Sequence, residues 1–290
     1  MKNAMKTFCF VDRYAMKKIL TFLLFGIVFF APISHDARGT IKCAHADLIG
    51  ELPGPENTDL MSLADDGDVE GVKKLLAGKF IKVNVNAQNN YGYTALMLAA
   101  KNGHTEIVKM LIGAKANINV RREDRYPGSL STLLLSREEA YVAHEVRGEG
   151  GTALTIATEH GHAEIVKLLL EAKADVNKKS NDDYTAITLA SLLGHAEIVK
   201  LLLEAGADVN AMARVYANVS AEGNNGKTAL MIASEEGYVE TVRLLLAAGA
   251  DVNMKGYEGT SALGLASKNG HVAIVKLLLD VGADVNMKGD

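Results

Sequence analysis

Three groups of residues in this 290-residue chain have types and spacings that could do chemistry. The run Ala221-Glu-Gly-Asn-Asn-Gly-Lys-Thr228 approaches a phosphate-binding loop, in which backbone N–H groups cradle phosphates and a lysine reaches the terminal ones. Such a loop needs glycine where Ala221 stands and a buried strand feeding into it, so Gly226-Lys227-Thr228 reads instead as a turn and helix cap. The second group is His104, His162, His195 and His271, which recur at one place in a repeated pattern with Tyr238 between the last two. Zinc ligands sit about 2.0–2.1 Å from the metal, whereas equivalent positions on packed helices lie about 8–10 Å apart, so this column cannot close on one ion. His160 and His162 offer only a two-ligand pair. The third group, Asp175, Asp208, Asp251 and Asp284, is a column of turn positions. Carboxylates that cleave glycosidic bonds must approach within about 5–9.5 Å, and a fixed picket of turns does not converge. With no Ser-His-Asp arrangement either, the reading is of a chain that is not an enzyme and uses no cofactor and no metal.

The elements behind these columns are repeated. Gly-His-Ala-Glu-Ile-Val-Lys-Leu-Leu-Leu-Glu-Ala occurs at 161–172 and again at 194–205, with relatives at 103–112, 237–246 and 270–279. A period of 33 residues means one supersecondary unit copied along the chain, which buries its apolar face only by stacking on its neighbours. Three markers keep step. Thr94, Thr152, Thr185, Thr228 and Ser261 suit the N-cap of a first helix. Glycines 103, 161, 194, 237 and 270 suit its end, where a left-handed residue is needed. The Asx-Val/Ile-Asn triplets starting at Asn117, Asp175, Asp208, Asp251 and Asp284 suit the turn to the next unit. Glu106, Glu164, Glu197 and Glu240 fall in the first turn of a second helix, where the dipole favours negative charge. Gly206, Gly249 and Gly282 close that helix, and Lys115 and Lys173 occupy the same slot. An earlier, degenerate unit begins near Thr58, giving about six repeats, at about 58–88, 92–121, 150–179, 183–212, 226–255 and 259–288.

The marker spacing shows two insertions, both after a triplet and before the next Thr. The first, 122–147, carries Arg125, Tyr126, Leu130, Leu133, Leu134 and Leu135. Ser136 with Glu139 there resembles a capping box opening a short helix through Tyr141. The second, 211–220, carries Met212, Arg214, Val215 and Tyr216. Tyrosine, arginine and methionine are enriched where proteins meet. Arg125, Tyr126, Leu133, Leu134, Tyr141, Met212, Arg214, Val215 and Tyr216 are therefore the candidate partner-binding residues. The leucines divide evenly between contacting a partner and folding back on the chain's own helices.

Taken together, period and motifs resemble the ankyrin-repeat family over about residues 58–290, of the exported bacterial kind. The resemblance implies an all-α solenoid of helix–turn–helix repeats with hairpin loops on one edge. It also implies protein binding through those loops and the adjoining concave helices. The family's Thr-Pro-Leu-His start is replaced here by Thr-Ala-Leu-Met (Thr94–Met97, Thr228–Met231) and its variants. The histidine that ties neighbouring repeats in that motif is missing, so looser polar coupling between repeats is expected. The last repeat repeats interior apolar positions at Ile274, Val275 and Leu277–Leu279, although solenoid ends normally need a hydrophilic outer face.

The N-terminus has a different character. Lys17 and Lys18 precede the apolar run Ile19 to Ala31, too short for the roughly 20 residues of a membrane-spanning helix. Ala44-His45-Ala46 then supplies small-x-small, as in a secretory signal peptide, with Met16 a plausible initiator. Cleavage is expected after Ala46, leaving a leader at 47–57 and a periplasmic or secreted protein; the competing reading is an uncleaved anchor. Lys42 before Cys43 does not fit a lipoprotein site. Removing 1–46 takes away both cysteines, Cys9 and Cys43. It also leaves 24 of the 31 basic and 33 of the 35 acidic side chains, net −9. So acidic a surface repels phosphate backbones, so the partner is a protein and not nucleic acid. Homo-oligomerisation through the last repeat is a further expectation.

Overall fold

The computed structural model describes residues 55–78, 83–89, 91–122, 150–180, 183–214, 226–256 and 259–287, and two short strands nearer the N-terminus. The chain divides into two units, Met1–Leu52 and Pro53–Asp290. In the first unit, β1 (Ser34–His35) pairs antiparallel with β2 (Ile41–Lys42). The run Ile19 to Ala31 lies outside the described residues. Among those described, no helix is long and apolar enough to cross a membrane.

The second unit is an all-α solenoid whose described residues form twelve helices in six pairs. These are α1 (Pro55–Asp66) with α2 (Val69–Ala77), α3 (Ala95–Lys101) with α4 (Thr105–Gly113), and α5 (Ala153–Glu159) with α6 (Ala163–Glu171). Then come α7 (Ala186–Leu193) with α8 (Ala196–Glu204), α9 (Ala229–Glu236) with α10 (Val239–Ala247), and α11 (Ala262–Lys268) with α12 (Val272–Asp280). First helices pack on first helices of the neighbouring pair, and second helices on second helices. The first helix starts at Pro55, ahead of the expected Thr58, because proline is tolerated in a first turn whose N–H groups have no helical partner.

Local chemistry sets each pair. Thr94 Oγ1 accepts from Met97 N, Thr228 Oγ1 from Met231 N, and Ser261 Oγ from Gly264 N. Thr152 with Thr155, and Thr185 with Thr188, form reciprocal capping boxes, with threonine replacing the usual Glu or Gln. The chain then reverses through a left-handed glycine, and the following amide returns five residues to a carbonyl, as His162 N does to Ala157 O at 3.0 Å. Small residues let the first helices approach closely: Ala99, Ala157, Ala190, Ala233 and Ala266 are fully buried in register. The second helices bury aliphatic side chains such as Ile165, Val166 and Leu169, each worth about 1.5–3 kcal/mol before the entropy of ordering is counted. Their Glu and Lys residues stay exposed.

The polar coupling between repeats is dense, which corrects the expectation of a looser stack. A different histidine supplies it. His104 Nε2 reaches Asp65 O at 3.1 Å, His162 Nε2 reaches Lys101 O at 3.0 Å, and His271 Nε2 reaches Glu235 O at 2.9 Å. Each ring lies over the glycine of the preceding repeat; a Cβ placed on Gly103 would come within 2.8 Å of His162. The Tyr238 ring covers Gly194 in the same way. The triplets form a second ladder. Asn86, Asn119, Asn177, Asn210 and Asn253 accept through Oδ1 from the amides of Asn117, Asp175, Asp208, Asp251 and Asp284, at 2.7–3.0 Å. Within each triplet the first residue caps the third, as Asp175 Oδ1 accepts from Asn177 N at 3.1 Å.

Lys115 and Lys173 are left-handed, with φ of 63° and 66°, where the later repeats have glycine. Replacing either with glycine should raise the unfolding free energy by about 0.5–1 kcal/mol in urea titrations, additively; no gain would mean that the side chain compensates for the strain. At Gly270 (φ 74°) nothing lies within 4 Å of an added Cβ. Gly270→Ala should therefore cost only about 1 kcal/mol of backbone strain. Gly103→Ala should cost at least ~1 kcal/mol more, because the His162 ring and its bond must move; equal losses would contradict the stacking role.

Candidate protein-interaction edge

One edge of the solenoid is a row of hairpins, and each hairpin is closed at an equivalent pair of residues. Asn89 N donates to Tyr93 O at 2.9 Å, Ser180 N to Tyr184 O at 2.8 Å, and Gly256 N to Thr260 O at 2.8 Å. The same closure holds beneath both insertions. Arg122 N donates to Gly151 O at 2.9 Å, and Ala213 pairs with Lys227 across an antiparallel ribbon, β3 (Met212–Arg214) and β4 (Gly226–Thr228). Both insertions therefore leave the edge through a closed neck, and the helix stack continues beneath them.

The first neck is braced from three directions. Gln88 Nε2 donates to Gly92 O at 3.0 Å and to Arg121 O at 2.8 Å, tying it to the preceding hairpin. Arg121 Nε donates to Gly150 O at 3.2 Å. Arg122 donates to the Tyr93 hydroxyl at 2.6 Å, and its guanidinium lies 4.8 Å from the centre of the same ring. Lys101 Nζ lies 5.8 Å from that centre, so two cations flank one phenol, an arrangement the ring quadrupole favours.

The second neck is held by a part-buried ion pair. Lys227 is 4% exposed and donates from Nζ to Glu235 Oε2, while the backbone carbonyl of the same Glu235 is met by Asn269 and His271 of the next repeat. Ala213 packs beneath the ribbon with Tyr184 and Leu189 of the preceding repeat. The lysine of the phosphate-loop lookalike is thus spent on a carboxylate within the fold. Gly226-Lys227-Thr228 is a strand leading into a capped helix, more regular than the expected turn.

Of the candidate residues, Met212 and Arg214 fall in β3. Met212 is half-buried and stands opposite Thr228; Arg214 pairs through its backbone with Gly226. Arg125, Tyr126, Leu133, Leu134, Tyr141, Val215 and Tyr216 lie outside the described residues. Tyr91, at a hairpin tip and 65% exposed, belongs to the same edge and was not singled out by the sequence reading. Its position between the Asn89 turn and Gly92 carries the signal: Asn89 Oδ1 accepts the amides of Tyr91 and Tyr93, leaving the Tyr91 ring to project. His160 and His162 are stacked, with ring centres 6.2 Å apart, and each is engaged by a backbone carbonyl, Ile156 O and Lys101 O respectively. Among the described residues no group of three or more His, Cys, Asp or Glu could hold a metal ion.

Comparison with known proteins agrees with this geometry. The pattern of ankyrin repeats matches in three copies, over residues 35–124, 125–213 and 214–289. A tyrosine-protein kinase of Hydra vulgaris is 32% identical over 136 residues, 43% of this chain and 18% of the kinase. An ankyrin repeat and KH domain-containing protein of Caenorhabditis elegans is 32% identical over 139 residues, 46% of this chain and 5% of that protein. An ankyrin repeat and sterile alpha motif domain-containing protein of Danio rerio is 30% identical over 153 residues, 42% of this chain and 12% of its own length. The chain thus spans less than a fifth of the length of these relatives. Arrays of this kind are generally non-catalytic modules for protein–protein interaction. With the matched pattern running over nearly the whole described solenoid, the chain belongs to the ankyrin-repeat family.

Proposed function

We propose that this protein is an exported adaptor that binds a protein partner through its hairpin edge and the adjoining concave helices, without catalysis. In this reading the two enlarged loops supply selectivity. The observation that carries it is the pair of closed necks, at Arg122–Gly151 and Ala213–Lys227. A loop folded into the core would open the stack at its base, whereas these bases are sealed and braced. The necks are two repeats apart, about 20 Å by helix spacing. A standard interface patch of about 800 Å² per partner is wide enough to touch both. Arg125, Tyr126, Leu133, Leu134, Tyr141, Met212, Arg214, Val215 and Tyr216 are the proposed contacts, with Tyr91 added from the adjacent tip. The Lys17–Ala46 pattern supports a periplasmic or secreted destination. An exported effector acting on a host protein is the second reading, and recovery of the chain inside host cells would favour it.

The sealed neck makes the test clean. Excising 123–147 leaves three residues between Arg122 and Gly151, the number between Asn89 and Tyr93. The unfolding free energy of this variant should stay within about 1 kcal/mol of the intact chain, because loop length costs little. Crosslinking from the native envelope should then lose at least one captured protein. Equal recovery of every captured protein by both forms would sink the assignment of that loop. For export, N-terminal sequencing of the chain recovered outside the cytoplasm should begin at Asp47; an N-terminus that retains Ile19–Ala31 would refute cleavage.

A further inference from the structure

The polar ties between repeats are unevenly spread along the stack. At the hairpin ends of the helices every joint carries the same contact, from Asn86, Asn119, Asn177, Asn210 and Asn253 to the next triplet. At the opposite ends, beside the mid-repeat glycines, the ties differ from joint to joint. The two residues flanking the glycine decide them. The first joint has Asn102-Gly103-His104, and both flanking side chains reach the carbonyl of Asp65, at 2.9 and 3.1 Å. The last has Asn269-Gly270-His271, and both reach the carbonyl of Glu235, at 2.7 and 2.9 Å. In the second joint His162 alone reaches across, to Lys101 O.

On either side of the fourth repeat, α7 with α8, these ties lapse. Leu193-Gly194-His195 and Glu236-Gly237-Tyr238 put a side chain without an N–H in the asparagine slot, and the second puts tyrosine in the histidine slot. The histidine bonds of the other three joints have no counterpart at His195 or Tyr238 among the described residues. The His195 ring also stands farther off. Its nearest atom is 3.2 Å from a Cβ placed on Gly161, against 2.6–2.8 Å at the other joints.

An independent set of residues falls on the same stretch. Thr158, Ser191, Ser234 and Thr241 are buried, and their hydroxyls have no hydrogen-bond partner among the described residues. The first three hold equivalent positions on α5, α7 and α9, where α1 and α3 have Ala64 and Ala100. Thr241 stands on α10 where α4, α6, α8 and α12 have Ile107, Ile165, Ile198 and Ile274. A buried hydroxyl without a partner disfavours the packed state, and access to water relieves it. Close packing is therefore least favoured where the ties are thinnest.

We propose that the fourth repeat is a hinge. The joints on its two sides pivot at the hairpin end, where the asparagine ladder is complete, and part at the glycine-turn end, where the side-chain ties are missing. Repeats one to three and five to six move as blocks. The joint between the third and fourth repeats lies between the two closed necks. Its motion turns one enlarged loop relative to the other and leaves the distance between their bases nearly fixed. The use of that turning in fitting a partner rests on the loops being contacts, a reading the hinge itself does not need.

Distances between paired spin labels, in the full chain with Cys9 and Cys43 replaced by serine, test this. Glu70, Glu164 and Glu240 are exposed equivalents in the first turns of α2, α6 and α10. Labels at Glu70 and Glu164, or at Glu164 and Glu240, lie two repeats apart, about 20 Å by helix spacing. The Glu164–Glu240 pair spans both joints of the hinge, and its distance distribution should be about twice as wide as that of Glu70–Glu164. Lys179 with Lys255, exposed equivalents at the hairpin end across the same joints, should be as narrow as Glu70–Glu164. Leu193→Asn with Glu236→Asn and Tyr238→His restores the flanking pair of the outer joints, and should narrow Glu164–Glu240 to the Glu70–Glu164 width. Should that variant not fold, Ser191→Ala with Ser234→Ala should narrow the same distribution. Equal widths for the two glutamate pairs in the parent chain would overturn the hinge, and equal broadening at Lys179–Lys255 would overturn the pivot. A folded variant with undiminished width would overturn the assignment to the missing ties. All widths are read without a partner, so their failure leaves the loop assignment standing, and equal capture by the loop-excised chain leaves the hinge standing.

Discussion

Each helix pair in this protein leaves its apolar face, a glycine and at least one carbonyl and one amide for the neighbouring pair to complete. The carbonyl of Lys101 is met by His162, the glycine two residues later is covered by the same ring, and the amide of Asp208 is met by Asn177. A pair standing alone would leave these groups to solvent, so each cross-repeat bond adds about 0.5–1.5 kcal/mol to the burial of the apolar face. The joint therefore fixes the direction, spacing and register of successive repeats. It also dictates where variation is tolerated. The joint uses the helices and the triplets, so the two long insertions enter beyond the closing pair of a hairpin.

Much of this was legible in the sequence because each marker is tied to one mechanical task. Threonine before Ala-Leu, glycine two turns on, and Asx-x-Asn after the second helix each answer a local backbone need, and a period of 33 makes them hard to mistake. Lys115 and Lys173 were legible for the same reason: their slot demands a left-handed residue whatever the side chain. The joints were read less well. The Thr-Pro-Leu-His histidine is missing, and nothing local marks the histidine after the mid-repeat glycine as its replacement. That residue looks like a harmless column until stacking shows its ring lying on the preceding glycine. The second asparagine of each triplet was read as a turn former, which it partly is; its reach to the next repeat is a tertiary fact. Lys227 escaped because Glu235, its partner, is brought near by helix α9 and by no local motif.

The functional picture follows from what the joint leaves over. A stack held by its interior presents a continuous outer edge whose side chains have few structural duties. Tyr91 projects there, while Tyr93 is bound to Arg122 and Tyr184 is buried, so the tyrosines divide by structural duty and not by type. Catalysis asks for side chains converging from different directions on one point. Repetition does the opposite, spreading equivalent residues along a line, and a line of contacts suits recognition of another macromolecular surface.

The continuity of the joints beneath the insertions can be read directly by native-state hydrogen exchange. The amides of Asp175 and Asp251 donate to Asn119 and Asn210 across the first and second insertions, while that of Asp208 donates to Asn177 where nothing is inserted. All three lie on exposed turns, so solvent access alone does not protect them. A single stack requires Asp175 and Asp251 to be protected to the same degree as Asp208. Rapid exchange at Asp175 or Asp251, with Asp208 protected, would mean that the chain is broken into separate blocks at its insertions.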